Sequence, residues 1–202
     1  MRLCIIGGFL GSGKTTVVLQ ILQYIIAHKK EMGSKIVVLE NEVGKVSVDD
    51  QLIASTGVRV KTMLAGCVCC TMSGELIANL QYVQEKFAPD LVILETTGMA
   101  YPYKVQELLG EKYPKDICQL VCVVDAKRWE RFQNAPPLKQ FSEEQLIKAD
   151  FILINKCDLI TEEEKERIKK GIYKLNCTAE IFALSAKEKI KEDVWKRILM
   201  NE

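Results

Sequence analysis

The sequence predicts an α/β fold in which a mostly parallel central sheet is covered by helices on both faces. Short segments that are apolar almost throughout recur along the chain, as strands buried on both faces require. Between them lie segments with apolar residues at i, i+3 and i+4, the pattern of helices that pack one face on a sheet. Strands and helices that alternate in this way form one parallel sheet between two helical layers.

The predicted strands occur at intervals along the whole chain. They are residues 3–6, Lys35–Glu40, 59–63, Leu91–Glu95, 117–125, Phe151–Asn155 and 181–184. The segment 59–63 follows an irregular stretch and is the least apolar of them. All seven are expected to lie in one sheet.

The predicted helices fill the intervals between these strands. The first carries apolar residues at helical spacing from Val17 to Ile26, and Gly33 is expected to end it because glycine accommodates a helix C-cap. Further helices are predicted at 73–87 and 105–109 and at the C-terminal end, finishing near Met200.

Three local motifs refine the second half of the chain. Ser142-x-x-Gln145 and Thr161-x-x-Glu164 have the spacing of helix-capping boxes, the second for a charged helix that runs to about residue 175. Pro136-Pro137 indicates a surface loop.

Length and composition predict one domain over residues 1–202 and exclude several classes of protein. The chain has 28 basic and 27 acidic residues and a net charge of +1, with no basic stripe, so nucleic acid is not an expected partner. The N-terminal segment is predicted to be a core strand and not a signal peptide. No apolar segment is long enough to cross a membrane. A cytoplasmic location without membrane attachment is therefore expected.

The segment Gly8-Phe9-Leu10-Gly11-Ser12-Gly13-Lys14-Thr15 directly follows the first strand and matches G-x-x-x-x-G-K-[ST]. Its glycines let backbone N–H groups and the next helix N-terminus face one anionic centre. Lys14 is expected to reach the terminal phosphates as a catalytic residue, and the Thr15 hydroxyl to bind Mg²⁺. The alternative is a glycine-rich turn with an incidental lysine, but the flanking strand and helix favour a P-loop NTPase. The predicted phosphate ligands are Gly11, Ser12, Gly13, Lys14, Thr15 and Thr16.

A second motif, Asn155-Lys156-x-Asp158, closes a buried strand and predicts guanine specificity. A carboxylate at Asp158 can accept two hydrogen bonds from the N1–H and N2–H₂ edge of guanine, a pair that adenine lacks. The loop Ser185-Ala186-Lys187 follows the last strand and is expected to close over the base. A surface turn is the alternative reading of the motif, and its position after a strand favours GTP and GDP as ligands.

Acidic residues after two further strands are candidates for the magnesium site and for catalysis. Glu95 ends a strand where P-loop proteins place the acid that meets Mg²⁺, and Gly98 is placed to offer its N–H to the γ-phosphate. Glu42 is a candidate for the Mg²⁺ shell, and Asp49 or Asp50 for orienting the attacking water. A helix cap at Glu95 and a solvated acidic loop are the alternatives.

Cys67, Cys69 and Cys70 lie within four positions of a predicted loop. Thiolates bind borderline-soft ions such as Zn²⁺, and Cys-x-Cys can direct two sulfurs at one ion. Structural thiols or a redox pair remain alternatives. The other four cysteines in strand-like runs are expected to be core residues: Cys4, Cys118, Cys122 and Cys157.

Together these motifs resemble the CobW-type GTPases, relatives of the GTPases that assist nickel insertion into hydrogenase and urease. The resemblance rests on GFLGSGKTT, ENEVG, GCVCCT, ETTG and NKCD and covers nearly the whole chain. It implies a slow GTPase that acts as a metallochaperone, often as a nucleotide-dependent homodimer. It also implies a transition-metal site made of Glu40 and the cysteines 67, 69 and 70, for Zn²⁺ or for Co²⁺ or Ni²⁺.

Two departures from the family pattern qualify this expectation. Lys45 stands where many members have an acidic residue, so one candidate oxygen ligand is missing. The sequence carries no histidine-rich tail, so metal delivery to a client metalloprotein is expected and metal storage is not. A GTPase that guards a corrinoid protein, with structural cysteines, is the main rival. A small-molecule kinase is a weaker one.

Overall fold

The computed structural model describes residues 1–28, 35–40, 59–64, 73–110 and 112–200. Seven strands and seven α-helices occur in these residues. The strands are β1 (Arg2–Gly7), β2 (Lys35–Glu40), β3 (Arg59–Leu64), β4 (Leu91–Glu95), β5 (Cys118–Asp125), β6 (Phe151–Asn155) and β7 (Glu180–Ala183). The helices are α1 (Lys14–Ala27), α2 (Ser73–Phe87), α3 (Pro102–Leu109), α4 (Trp129–Gln133), α5 (Pro136–Leu146), α6 (Glu162–Leu175) and α7 (Glu192–Met200).

The strands form one sheet in the order β3-β2-β4-β1-β5-β6-β7, and every neighbouring pair is parallel. The predicted α/β fold with a parallel central sheet is confirmed. Strand β1 lies in the middle, between β4 and β5, where successive strands change from one side of the sheet to the other. In open parallel sheets, a crevice forms at such a point beyond the carboxyl ends of the strands.

Two hydrophobic clusters cover the two faces of this sheet. Helices α1 and α7 pack on one face, where Cys4 and Ile6 of β1 meet Ile21 and Trp195. Helices α2 to α6 supply residues to the other face, where the alternate β1 residues Leu3 and Ile5 are buried. Alternation of side chains along a strand therefore gives β1 two apolar faces, which explains its continuous apolar sequence.

The core also contains the cysteines that were predicted to lie there. Cys4, Cys118 and Cys122 are fully buried, whereas Cys157 is half-buried. Burial raises the pKa of Cys122 to about 12 and that of Cys118 to about 11. These two thiols are thus protonated at neutral pH and behave as small apolar side chains.

The first helix ends earlier than its sequence pattern predicts. Helix α1 stops at Ala27, and the N–H of His28 donates to the carbonyls of Tyr24 and Ile25. Gly33, the expected C-cap, lies outside the described residues. The His28 ring stacks on Tyr24 four residues earlier, with 4.3 Å between ring centroids, and its Nε2 lies 3.3 Å from Glu192 of α7. One local and one tertiary contact thus stabilise this early end.

Helix α5 corrects two further predictions. Pro136-Pro137 is the first turn of this helix instead of a surface loop, because proline at the start of a helix needs no N–H partner. Ser142 is consequently inside the helix, and its hydroxyl donates to the carbonyl of Lys139 instead of capping an N-terminus. Gln145, its expected partner in a capping box, turns to a different part of the molecule.

The capping box at the start of α6 is present as predicted. Thr161 Oγ1 accepts from the N–H of Glu164 at 3.2 Å, and a Glu164 carboxylate oxygen accepts from the N–H of Thr161 at 2.7 Å. The second of these bonds stabilises the ionised carboxylate and lowers the pKa of Glu164. Among the described residues, no helix is long and apolar enough to cross a membrane.

The lowered pKa of Glu164 predicts a pH-dependent contribution to stability. A carboxylate whose pKa is lower in the folded chain stabilises the fold above the unfolded value, about 4.5, and loses that contribution as pH falls through the folded value. We therefore expect Glu164→Gln to lower the urea midpoint at pH 7, and the difference from wild type to shrink as the pH is lowered to 3. Glu163→Gln, one position earlier and outside the capping box, is the control. A difference in urea midpoint that stays constant between pH 7 and pH 3 would contradict the lowered pKa of Glu164.

Candidate functional site

The polar segments singled out in the sequence gather at one edge of the sheet. Ile6 pairs with Glu95 across β1 and β4, and Asp125 pairs with Asn155 across β5 and β6, so these strands end in register. The loops that follow them are therefore neighbours at the carboxyl edge. This placement is what the parallel sheet requires of a ligand-binding crevice.

The loop between β1 and α1 forms a tight turn at the carboxyl edge of the sheet. The N–H of Ser12 donates to the carbonyl of Phe9 at 3.1 Å, and Gly13, in the left-handed region with φ 99°, precedes the first residue of α1. A Cβ on Gly13 would lie 2.3 Å from Asn155 Nδ2, so only glycine fits here. The loop thus carries the N-terminus of a 14-residue helix at its exit, which favours an anion.

Two side chains of this loop point to a ligand. The hydroxyl of Ser12 is fully buried and has no hydrogen-bond partner in the described structure, a condition that folded proteins rarely leave uncompensated. The Lys14 side chain is 6% exposed, and its Nζ lies 3.5 Å from the Phe9 carbonyl across the loop. A buried ammonium and a buried hydroxyl at the N-terminus of a helix are a donor set that fits phosphate. Thr16 is exposed at the start of α1.

Asn155 links this loop to the end of the sheet. Its Nδ2 donates to the carbonyl of Ser12 at 2.8 Å, while its Oδ1 accepts from the N–H groups of Lys156 and Ala186, both at 2.8 Å. The side chain is only 3% exposed, and its bonds to Ser12 and Ala186 lie in a low-dielectric interior. One amide therefore fixes the positions of three loops relative to one another.

Lys156 forms a second connection to the same loop. Its Nζ donates to the Gly11 carbonyl at 2.6 Å and to Asp125 Oδ2 at 2.6 Å. The residue has φ 65°, a left-handed conformation that turns the chain into a short 3₁₀ helix at Cys157–Leu159. Asp158 lies in that helix with its side chain exposed, and so is accessible to a ligand.

The loop after β7 is held against α1 and β6. Gln20 Nε2 donates to the carbonyls of Ala186 at 3.2 Å and Glu188 at 2.9 Å. Ser185 has a buried hydroxyl without a hydrogen-bond partner in the described structure, and Lys187 is exposed. The loop thus carries an unsatisfied hydroxyl one residue before Ala186, whose N–H donates to Asn155.

Glu95 and Thr15 come together at the end of β4. Thr15 Oγ1 donates to Glu95 Oε1 at 2.8 Å. A hydroxyl and a carboxylate next to a phosphate-binding loop form the hard oxygen set that Mg²⁺ prefers, so these residues fit that ion. The geometry brings together two of the predicted magnesium ligands.

The turn after β4 packs directly against the phosphate-binding loop. The N–H of Ala100 donates to the Thr97 carbonyl at 3.1 Å, which closes a turn around Gly98. A Cβ on Gly98 would lie 2.5 Å from the backbone nitrogen of Leu10, so the close approach requires glycine.

Several predicted site residues lie outside the described residues: Glu42, Asp49, Asp50, Cys67, Cys69 and Cys70. Lys45 does as well. Glu40 ends β2, where its backbone pairs with Glu95 of β4 and Leu64 of β3. Within the described part of the chain, no group of three or more His, Cys, Asp or Glu side chains could hold a metal ion.

Three residues of this edge, Asp125, Arg128 and Gln20, had no assigned role in the sequence analysis. A fourth, Gln145, was assigned to a capping box and instead donates to the carbonyls of Gly98 and Ala100. Asp125 holds Lys156, and Arg128 Nη1 donates to the Leu10 carbonyl at 3.0 Å. Asp125 is the last residue of the buried strand β5, and Glu95 and Asn155 were identified by the same position in their strands. For Arg128 and the two glutamines no sequence signal existed, because helix packing brings them to the loops.

The family model for the CobW/HypB/UreG nucleotide-binding domain matches residues 2–183. Among curated proteins, the zinc chaperone YjiA of Escherichia coli is 35% identical over 191 residues, covering 88% of this chain and 55% of its own length. Zinc-regulated GTPase metalloprotein activator 1 of Dictyostelium discoideum is 29% identical, covering 88% of this chain and 44% of its own length. The chain thus spans about half the length of these relatives.

Among solved structures, the hydrogenase maturation factor HypB of Archaeoglobus fulgidus has the same fold. Its TM-score is 0.67 with 21% sequence identity, and the match covers 100% of this chain and 89% of that one. At this identity the likeness concerns the fold alone.

The Asn155 connection predicts an effect that is local to the phosphate-binding loop. Asn155→Ala leaves the buried Ala186 N–H and the Ser12 carbonyl unpaired, so we expect a loss of about 2 kcal/mol in the free energy of unfolding. We also expect faster amide hydrogen exchange at residues 11–14. Urea denaturation and exchange measured by mass spectrometry test the two effects.

Asn176→Ala is the matched control. Asn176 Nδ2 also donates to two carbonyls, those of Leu146 and Ala149, but at the opposite edge of the sheet. A similar loss of stability without faster exchange at residues 11–14 is expected. Equal acceleration in both variants would show that Asn155 has no special role in the loop.

Proposed function

Because the chain belongs to the CobW/HypB/UreG family of nucleotide-binding domains, we propose that it binds and hydrolyses GTP and couples this cycle to transition-metal delivery. The observation that carries the proposal is the connection of the phosphate-binding loop to the Asn155-Lys156-x-Asp158 segment through the Asn155 amide and the Lys156 ammonium. In this proposal the two segments would contact different parts of one nucleotide, and the two bonds fix their relative positions.

The phosphate-binding loop supports the nucleotide part of the proposal. The Lys14 ammonium and the backbone N–H groups of Gly11, Gly13, Lys14, Thr15 and Thr16 would hold the phosphates, with the buried Ser12 hydroxyl as a further donor. The loop is folded in this way by its own turn and by Asn155. Little reorganisation is therefore needed when phosphate binds.

Guanine selection would depend on the exposed carboxylate of Asp158. A carboxylate can accept from both N1–H and N2–H₂ of guanine, whereas adenine offers no such donor pair. Lys156 donates to the Gly11 carbonyl and to Asp125, and these bonds hold the backbone at Asp158 in one position. Ser185, Ala186 and Lys187 would cover the other side of the base.

For hydrolysis, Thr15 and Glu95 would hold Mg²⁺ directly or through water, and Glu42 would complete this shell. Bound Mg²⁺ would neutralise charge on the terminal phosphates. Lys14 would stabilise charge that develops between those phosphates. Asp49 or Asp50 would orient the attacking water, and Gly98 would offer its N–H to the γ-phosphate.

Cys67, Cys69 and Cys70 would form the transition-metal site together with Glu40. The names of the relatives above concern zinc, so Zn²⁺ is the first candidate, ahead of Co²⁺ and Ni²⁺. The strand register supports grouping Glu40 with these cysteines. Glu40 pairs with Leu64, the last residue of β3, and the cysteine segment follows β3 in the sequence. The metal is cargo in this scheme.

The partners and location in this proposal follow from the chemistry. A client metalloprotein would receive the metal, and nucleotide binding would favour a homodimer. A reducing, cytoplasmic location suits the cysteines, since the five within the described residues are all free thiols.

Nucleotide identity is tested by exchanging the guanine acceptor. We expect Asp158→Asn to weaken Mg·GDP and Mg·GTP by about 100-fold and to favour xanthine nucleotides, because an amide can donate to the C2 carbonyl of xanthine. Lys14→Ala should weaken both guanine and xanthine nucleotides. Isothermal titration against GDP, XDP and ADP measures this, with Asp116→Asn at the other sheet edge as control. Preference of the wild-type chain for ADP would reject guanine specificity.

Metal coupling is tested by competition titration of the reduced, metal-free chain with Zn²⁺, Co²⁺ and Ni²⁺. We expect one tightly bound ion, with an affinity at least about tenfold different between Mg·GDP and a non-hydrolysable GTP analogue, equivalent to about 1.4 kcal/mol of coupling. The triple variant Cys67→Ser, Cys69→Ser, Cys70→Ser should lose the ion and keep GTP. Cys177→Ser, which removes an exposed free thiol, is the control. Metal binding that ignores both the nucleotide and these cysteines would favour a GTPase that guards a corrinoid or other client protein.

A further inference from the structure

One face of helix α5 contacts both the phosphate-binding loop and the segment that follows β4. Phe141 and Gln145 are four residues apart and therefore lie on the same face of the helix. The Phe141 ring packs at 5.6 Å from Phe9 of the phosphate-binding loop and at 5.0 Å from Tyr101 after β4. The helix thus bridges the two segments without belonging to either.

Gln145 makes the polar contacts of this face. Its Nε2 donates to the carbonyl of Gly98 at 3.1 Å and to that of Ala100 at 3.0 Å. The side chain is 2% exposed, so the two bonds are shielded from water. Removing this donor would leave two buried carbonyls without their side-chain partner, which is costly in a protein interior.

These bonds fix the orientation of the turn at Gly98. The Ala100 N–H closes the turn on Thr97, while Gln145 donates to the carbonyls of Gly98 and Ala100. The same turn contacts Leu10 so closely that a Cβ on Gly98 would overlap its backbone. Thr97 Oγ1 is also buried at this turn, with no hydrogen-bond partner in the described structure.

We propose that Gln145 is a positioning residue that orients the Gly98 N–H for the γ-phosphate and so sets the preference for GTP over GDP. The proposal rests on the function proposed above. Gln145 touches neither nucleotide nor Mg²⁺ in this scheme; it acts through the turn. A turn already held against the phosphate-binding loop needs no further ordering to bind the γ-phosphate, whereas GDP does not use it.

The side-chain chemistry explains why glutamine suits this position. One neutral amide nitrogen carries two hydrogens and can serve two carbonyls at once. A carboxylate of the same length has no donor, and leucine or methionine has neither donor nor acceptor. The donor is therefore what a substitution should remove.

The test compares Gln145→Leu and Gln145→Met with wild type. Methionine keeps the length and flexibility of glutamine, so it provides a second variant if the leucine variant fails to fold. Affinities for Mg·GDP and for a non-hydrolysable Mg·GTP analogue are measured by fluorescence titration. We expect the affinity for the analogue to fall about tenfold, with that for GDP changed less than about twofold.

Gln106→Leu is the matched control. Gln106 is 6% exposed, and its Nε2 donates to the Cys118 carbonyl at 3.1 Å, at the amino end of β5. This variant should lose stability and keep the wild-type ratio of analogue to GDP affinity. Equal weakening of both nucleotides by the Gln145 variants, or no change in either, would overturn the positioning role. Failure of wild-type protein to bind either nucleotide would instead reject the proposed function.

Discussion

The side-chain amide of Asn155 is the interaction on which the carboxyl edge of this sheet depends. It is nearly inaccessible to water and uses both its oxygen and its nitrogen on backbone groups of three loops. The same contact requires glycine at position 13, because the Cβ of any larger residue would displace the Asn155 amide. The Asn155-Lys156-x-Asp158 segment and the phosphate-binding loop are thus held together as one unit, because the first residue of that segment donates to the Ser12 carbonyl.

The same principle extends around the edge. Loops have few backbone partners of their own, so side chains from neighbouring elements must satisfy their carbonyls. Lys156 and Arg128 do this for the phosphate-binding loop, Gln20 for the loop after β7, and Gln145 for the turn after β4. All four contacts use side-chain nitrogens that donate to backbone carbonyls. Because these side chains donate, none of the four contacts uses a backbone N–H group of the loops.

The sequence predicted the strands well because their apolar character reflects burial on both faces, which is a local property. It predicted the phosphate-binding loop for a related reason, since the motif contains its own glycines and its own helix N-terminus. The errors at Pro136 and Ser142 arose because proline is compatible with both a loop and a first helical turn. Gln145 was given a capping role by its spacing from Ser142, whereas its partners Gly98 and Ala100 lie more than 40 positions away in the chain. Contacts of that range are set by how helices pack on the sheet, and no local pattern contains them.

In the proposed function, the nucleotide site and the transition-metal site must influence each other. The order of the strands in the sheet places the two proposed sites close together. Glu95, Glu40 and Leu64 are aligned across β4, β2 and β3, and adjacent strands are about 4.8 Å apart, so the end of β3 lies about 10 Å from Glu95. Glu95 in turn accepts from Thr15 at the start of α1. The strand that leads into the cysteine segment is therefore separated from the proposed magnesium ligand Glu95 by the single strand β2. Glu42, a further proposed ligand, follows β2 in the sequence. A change at the γ-phosphate would need to alter only the segments that follow three adjacent strands, and no rearrangement of the sheet or of the core is required to connect the two sites.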